Sequence, residues 1–92
     1  MEKYEIYNVS FDYFHHLNKS ISGRKSKFYI ISRKGREEAI HLFSKWMYKM
    51  CDYEFSNIEI RKMRENNKAV QYLFDDIENR YEKQFEYLNS VM

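Results

Sequence analysis

Four side chains of the sequence have the chemistry of metal ligands: His15, His16, His41 and Cys51. Structural zinc sites need ligand pairs at short spacings, such as two cysteines separated by two residues, and the sequence has no such pair. The two adjacent histidines point to opposite faces of an extended chain, so they cannot easily bind one ion. Walker, Rossmann and Gly-x-Ser-x-Gly motifs are also absent. We therefore expect no metal site and no cofactor.

Catalytic residues are equally sparse. Cys51 ends an apolar helical stripe, where a free cysteine is typically a small buried side chain rather than a nucleophile. The carboxylates of Asp52, Glu54 and Glu59, near Arg61 and Lys62, are similar in type to those of metal-dependent nucleases. The adjacent His15 and His16 are similar to the start of a ββα-metal nuclease, but neither group fills a complete set of catalytic roles. We predict that the protein is not an enzyme. A small nuclease, tested through Glu59 and His16, is the third of three functional hypotheses.

The distribution of charge is the most informative feature. The formal net charge is only +2, yet no acidic residue lies between Asp12 and Glu37. The charged residues in that interval are all basic: Lys19, Arg24, Lys25, Lys27, Arg33, Lys34 and Arg36. A strand between the two ends of this set would separate them by ~13–20 Å, which a phosphate backbone or a long acidic protein surface can bridge. An ordinary solvated surface is the alternative interpretation.

The sequence also indicates a compartment. A single cysteine rules out an internal disulfide and fits a reducing environment. The longest apolar run, residues 28–31, is far shorter than the ~20 residues that span a bilayer. The first residues lack the basic and apolar regions of a signal peptide. We therefore expect a cytoplasmic protein with no membrane partner.

Hydrophobic periodicity predicts the elements that position these residues. Residues 4–14 alternate as a strand, although a helix over residues 10–21 capped by Ser10 has compatible spacing. Residues 18–26 are polar and predict a loop, and residues 27–32 are apolar on both faces and suit a central strand.

A helix and a third strand follow. One helical stripe, spaced i, i+3, i+4, i+7, i+8 and i+11, consists of Ala39, Leu42, Phe43, Trp46, Met47 and Met50. Residues 54–63 alternate as a strand. Residues 56–59 could instead be a capping box that opens a short helix, so the interpretation of residues 56–63 stays open.

The last predicted element is a long helix that begins after Asn66 or Asn67 and runs to Met92. Its ~24 residues would span ~36 Å, longer than the ~32 Å diameter of a compact chain of this length. The end of the helix would then overhang the body and could pack on a second copy. The candidate homodimer interface consists of Tyr81, Phe85, Leu88 and Met92.

These elements together predict one α+β domain over residues 1–92. The predicted order is β-β-α-β-α, with a three-stranded, mainly antiparallel sheet and two helices packed on one face. A core this thin leaves little room for a reaction centre.

In length, fold class, codon-biased composition and polarised charge, the chain resembles small bacteriophage proteins that take over host functions or counter host defences, including anti-CRISPR proteins. The composition is rich in Phe, Tyr, Met, Ile, Asn and Lys, with two glycines and no proline, which indicates an AT-rich genome. The resemblance implies a non-enzymatic inhibitor or adaptor that blocks a host protein or ribonucleoprotein complex. The alternative is a nucleic-acid-binding regulator that uses the basic residues of the 19–36 segment.

Overall fold

The computed structural model describes residues 3–90. The strands are β1 (Glu5–His15), β2 (Ser22–Ser32) and β3 (Tyr53–Met63), and the helices are α1 (Arg36–Lys49), α2 (Gln71–Phe74) and α3 (Ile77–Asn89). A 3-10 turn, Lys68–Val70, directly precedes α2. Both strand pairs are antiparallel, in the sheet order β2-β1-β3. The α+β fold class and the order of strands and helices are confirmed.

The central strand is β1, and β2 lies at the edge, contrary to the prediction that residues 27–32 form the centre. The apolar half of β2 is nevertheless buried because α3 covers its outer edge. The Gln84 side chain accepts a hydrogen bond from the Ile31 N–H (2.9 Å) and donates one to the Ile31 carbonyl (2.8 Å). One amide side chain thus satisfies backbone groups that a neighbouring strand would otherwise satisfy.

Strand β2 begins at Ser22, so the predicted loop over residues 18–26 is wrong in its second half. The pairing with β1 changes register here, and the buried side chain of Asn8 bridges the irregularity. Its amide donates to the Ser26 carbonyl (3.1 Å), and its oxygen accepts from the Phe28 N–H (3.1 Å). A polar segment therefore continues as a strand through backbone pairing, which hydrophobic periodicity cannot detect. The alternative helix over residues 10–21 is wrong.

Strand β3 also contains an irregularity, and this one excludes the predicted alternative of a capping box. Asn57 has a left-handed backbone (φ 51°) at the register shift between β1 and β3. Its side-chain amide donates to Asp12 Oδ2 (2.6 Å). Asparagine tolerates this conformation better than most residues, so residues 56–59 form a bend in a strand rather than the start of a helix.

The core lies between α1 and the sheet. Ala39, Leu42 and Phe43 are buried, which confirms the predicted stripe on α1. Phe11 of β1 is 2% exposed, and its ring lies 5.4 Å from the ring of Phe43. Helix α3 packs on both α1 and β2.

The predicted long C-terminal helix is broken. Asp75 has an extended backbone and Asp76 a left-handed one (φ 61°), so α2 ends before α3 begins. Helix α3 has 13 residues and is therefore only ~20 Å long, which removes the predicted overhang.

Tyr81 and Leu88 of the predicted dimer interface are buried in the monomer's own core, so they are not available to a second copy. Phe85 is exposed, and Met92 lies outside the described residues.

A carboxylate ties α1, β2 and α3 together. Glu38 Oε1 accepts hydrogen bonds from the Arg33 N–H (2.7 Å) and the Ser32 hydroxyl (3.2 Å), and Glu38 Oε2 accepts one from the Tyr81 hydroxyl (3.1 Å). Although burial acts to raise the pKa of Glu38, these donors hold the pKa below its ordinary value. Burial and the bond to Glu38 raise the pKa of Tyr81 to about 12.

Candidate functional site

A cavity of about 350 Å³ opens beside the last turn of α1, on the side of the sheet that α1 covers. Aromatic and sulfur-containing side chains form most of its wall, and one lysine joins them. The residues of this aromatic cavity are Phe11, Tyr13, Lys25, Phe28, Trp46, Met50, Tyr53 and Phe55. Its wall therefore combines a mainly apolar surface with one exposed cation, Lys25.

The period of each element explains why these side chains converge. Tyr53 and Phe55 are two residues apart on β3 and therefore face the same side of the sheet. Phe55 is the cross-strand partner of Tyr13. Trp46 lies in the last turn of α1 and Met50 caps the C-terminal end of the helix, four residues later and on the same side.

The rings of the cavity pack against one another. Trp46 lies 4.5 Å from Phe28 and 5.3 Å from Phe55, measured between ring centroids. Tyr53 stacks on Phe55 at 6.0 Å and meets the edge of Tyr13 at 6.3 Å. These distances are typical of favourable aromatic pairs, so the wall is held in place before any ligand arrives.

The basic residues of the 19–36 segment differ in their contacts, and the three arginines all interact with other groups of the protein. Arg24 pairs with Asp12 (3.0 Å) and Glu59 (3.7 Å). Arg36 donates to the Ile60 carbonyl (2.8 Å), and the Arg33 guanidinium lies over the ring of Tyr81. Hydrogen bonds from Asn57 and Arg24 lower the pKa of Asp12. The three arginines are therefore engaged within the protein.

The four lysines of that set are different. Within residues 3–90 they make no ion pair, and all are exposed: Lys19, Lys25, Lys27 and Lys34. Lys25 is the cross-strand partner of Phe11 and lines the aromatic cavity. Lys19 and Lys27 lie near it in the chain, at the hairpin end of the sheet, whereas Lys34 follows the opposite end of β2. Of the four lysines, Lys25 is therefore the one that places an exposed positive charge in the wall of the cavity.

The candidate catalytic and metal-binding residues do not converge. His16 Nε2 lies 3.4 Å from Glu54 Oε1, while Glu59, paired with Arg24, is opposite Ser10, about 20 Å away along β1. Across residues 3–90 no group of three or more histidine, cysteine, aspartate or glutamate side chains is placed to hold a metal ion.

The remaining histidines and the cysteine have simpler positions. His15 Nδ1 accepts hydrogen bonds from the N–H groups of Leu17 (3.2 Å) and Asn18 (2.8 Å), so it shapes the β1–β2 turn. His41 is exposed on α1. Cys51 is exposed in the turn before β3, contrary to the expectation that it would be buried.

The aromatic cavity is not predicted from the sequence, because the helical period places Trp46 and Met50 in the core stripe and the strand pattern gives Tyr53 and Phe55 no role. The available signal was the alternation of two aromatic residues at the start of β3, directly after the helix that carries Trp46 and Met50.

Comparison with known proteins gives no further guide. The chain matches no protein-family model, no curated protein and no solved structure. Within the described part of the chain, no helix has the length and apolar character needed to cross a membrane. A functional proposal therefore depends on the geometry of the aromatic cavity and the charges around it.

Proposed function

We propose that the protein is a non-enzymatic protein-binding module, an inhibitor or adaptor that acts by covering a surface of a host complex. The observation that carries the proposal is the solvent-open aromatic cavity with the exposed Lys25 in its wall. Protein interfaces are enriched in aromatic residues and methionine at their centres and are polar at their rims, and the cavity has both properties. The cytoplasm of a bacterial host, and a nucleic-acid-handling complex as the target, are parts of this proposal.

The strand edges support docking through side chains rather than through backbone pairing. Both edge strands, β2 and β3, are interrupted by register shifts in their pairing with β1. On β3, the Arg36 side chain donates a hydrogen bond to the Ile60 carbonyl. On β2, the Gln84 side chain bonds the N–H and the carbonyl of Ile31, so these backbone groups are not free to pair with another strand. Irregularities and lysines on edge strands oppose pairing with another chain. The aromatic cavity is then the more suitable contact surface.

The proposal predicts a partner whose binding depends on Tyr53. We expect the tagged protein to retain one stoichiometric partner from a lysate of a bacterium with an AT-rich genome. Tyr53→Ser should lose that partner, because it removes an aromatic wall of the cavity and large aromatic side chains often dominate binding free energy. Affinity purification followed by mass spectrometry measures the retained amount.

The matched control is Tyr48→Ser. Tyr48 is 87% exposed on the neighbouring helix and does not line the aromatic cavity. This variant should retain the partner at the wild-type level. Absence of any stoichiometric partner, or equal retention by both variants, would contradict the proposal.

A second candidate function is nucleic-acid binding, favoured by the four lysines that make no ion pair within residues 3–90. If these lysines contact phosphates of duplex DNA, the slope of log K against log salt should not exceed ~3.6 in magnitude. Replacing all four by glutamine should abolish binding, whereas Arg24→Gln should change it little because two carboxylates already neutralise Arg24. Fluorescence anisotropy with a labelled duplex measures both effects, and salt-independent binding would exclude this function.

A further inference from the structure

We infer that the aromatic cavity binds an acidic segment of the partner protein, which inserts one aromatic side chain and places a carboxylate beside Lys25. This inference rests on the proposed function and specifies the chemistry of the partner.

The size of the cavity limits its occupant. Its volume of about 350 Å³ lies near the lower end of the ~300–1,000 Å³ range of small-molecule sites. The cavity is open to solvent rather than enclosed, and its wall is contributed by side chains from all three strands and from α1. A single large side chain on a peptide fits this shape better than a bulky cofactor does.

The wall of the cavity favours an aromatic side chain. The rings of Trp46, Tyr53 and Phe55 present both faces and edges at the spacings of existing aromatic pairs. An inserted ring can extend this arrangement, because aromatic pairs are favourable beyond the burial of apolar area. Met50 completes the wall with a flexible thioether that adapts to the ring of the ligand.

The charges around the cavity favour a peptide over a nucleic acid. Lys25 supplies one cation at the wall, and Lys19 and Lys27 are near it in the chain on the β1–β2 side. On the β3 side, the residue directly before Tyr53 is the exposed Asp52. A continuous phosphate chain that crosses the cavity toward the start of β3 would meet this negative charge, whereas a peptide can place its own carboxylates on the lysine side alone.

The experiment uses Trp46, the single tryptophan of the chain, as the reporter. The probe is the blocked peptide acetyl-Glu-Asp-Phe-Asp-Glu-amide, which contains no tryptophan. We expect a saturable change in Trp46 emission on titration. The same peptide with alanine in place of phenylalanine should bind at least ten times more weakly, and so should a peptide with lysines in place of its acids.

Two matched variants test the position of the carboxylate. Lys25→Glu should weaken binding of the phenylalanine peptide at least tenfold, because it replaces attraction by repulsion at the cavity wall. Lys34→Glu makes the same change of charge at the opposite end of β2 and should leave the affinity within about twofold of the wild-type value. Circular dichroism checks that both variants are folded, since both lysines are exposed.

Several outcomes would overturn the inference. They are equal binding of the phenylalanine and alanine peptides, equal effects of the two lysine variants, and tighter binding of oligothymidylate than of the peptide with a steep dependence on salt. A change in Trp46 emission with protein concentration alone would show that a second copy fills the cavity, which also overturns the inference.

If the peptide fails to bind while the Tyr53-dependent partner is captured, the proposed function stands and only the acidic aromatic segment is wrong. If the peptide binds but no partner is captured, the proposed function fails instead.

Discussion

The Phe11→Ala variant is expected to lose about 3–5 kcal/mol of unfolding free energy, the typical range for removing a buried phenylalanine. Small domains have about 5–15 kcal/mol in total, so this variant should be close to unfolding at 37 °C. Thermal and urea denaturation followed by circular dichroism measure the loss.

The reason is the position of Phe11 at the centre of the aromatic cluster. Its ring lies between 5.4 and 6.5 Å from five other rings, which belong to Tyr13, Phe28, Phe43, Trp46 and Phe55. Truncation therefore leaves a cavity bordered by side chains from three strands and from α1. Those side chains cannot all move inward, because β1 is held by neighbours on both sides.

The matched control for Phe11 is Phe14→Ala, three residues later on the same strand. Phe14 is only partly buried. Because side chains alternate along a strand and the two residues are three positions apart, Phe14 lies on the opposite face of the sheet from Phe11. The loss of unfolding free energy in Phe14→Ala should be markedly smaller than the loss in Phe11→Ala. Equal losses would show that the core does not centre on Phe11.

We expect Glu38→Ala to lose about 2–4 kcal/mol of unfolding free energy at pH 7. The substitution leaves the Arg33 N–H and the Tyr81 hydroxyl without their acceptor, and an unsatisfied buried donor costs about 1–3 kcal/mol. Glu37→Ala is the control, because Glu37 is exposed in the same first turn and contributes only through the helix dipole, about 0.3–1 kcal/mol. Similar losses in the two variants would contradict the assigned role of Glu38.

The contribution of Glu38 should also depend on pH with a defined sign. Because its pKa is lower in the folded state, the ionised carboxylate stabilises the fold at every pH above its unfolded value of 4.5. That stability is lost as the pH falls through the lower folded pKa. The difference in unfolding free energy between wild type and Glu38→Gln should therefore be constant near neutrality and shrink below pH 4.5. A difference that grows on acidification would contradict this linkage.

Tyr81 acts at the other end of the pH range. Its pKa is raised to about 12, so its neutral form stabilises the fold below the unfolded value of 10. This stability is lost as the pH rises through about 12. The Glu38–Tyr81 pair therefore contributes most to the unfolding free energy between pH 4.5 and pH 10.

Helix α1 and the order of elements could be predicted from the sequence because both depend on the period of apolar residues. The stripe at Ala39, Leu42 and Phe43 needs only a helical repeat and a sheet to face. The first half of β2 could not be predicted, because its polar residues pair through the backbone and the side chain of Asn8 holds them in place. The strand propensity of a segment depends on its own residues, so it cannot reveal a hydrogen bond from a side chain eighteen positions away.

The candidate site was predicted in part. The basic residues were visible as a run without acids, but the pairing of Arg24 with Asp12 depends on the register of β1 and β2, which the sequence does not reveal. The break in the last helix was hidden for a similar reason. Asp75 and Asp76 fit a helical flank by pattern, and only their backbone angles separate α2 from α3.

The position of Gln84 on the outer edge of β2 has a consequence for synthesis of the chain. The backbone groups of Ile31 are made early, whereas the amide that satisfies them follows 53 residues later. A nascent polypeptide that has reached β3 already has all three strands but still exposes this stretch of edge to water and to other nascent chains. The edge of β2 at Ile31 is therefore covered only after α3 has been translated.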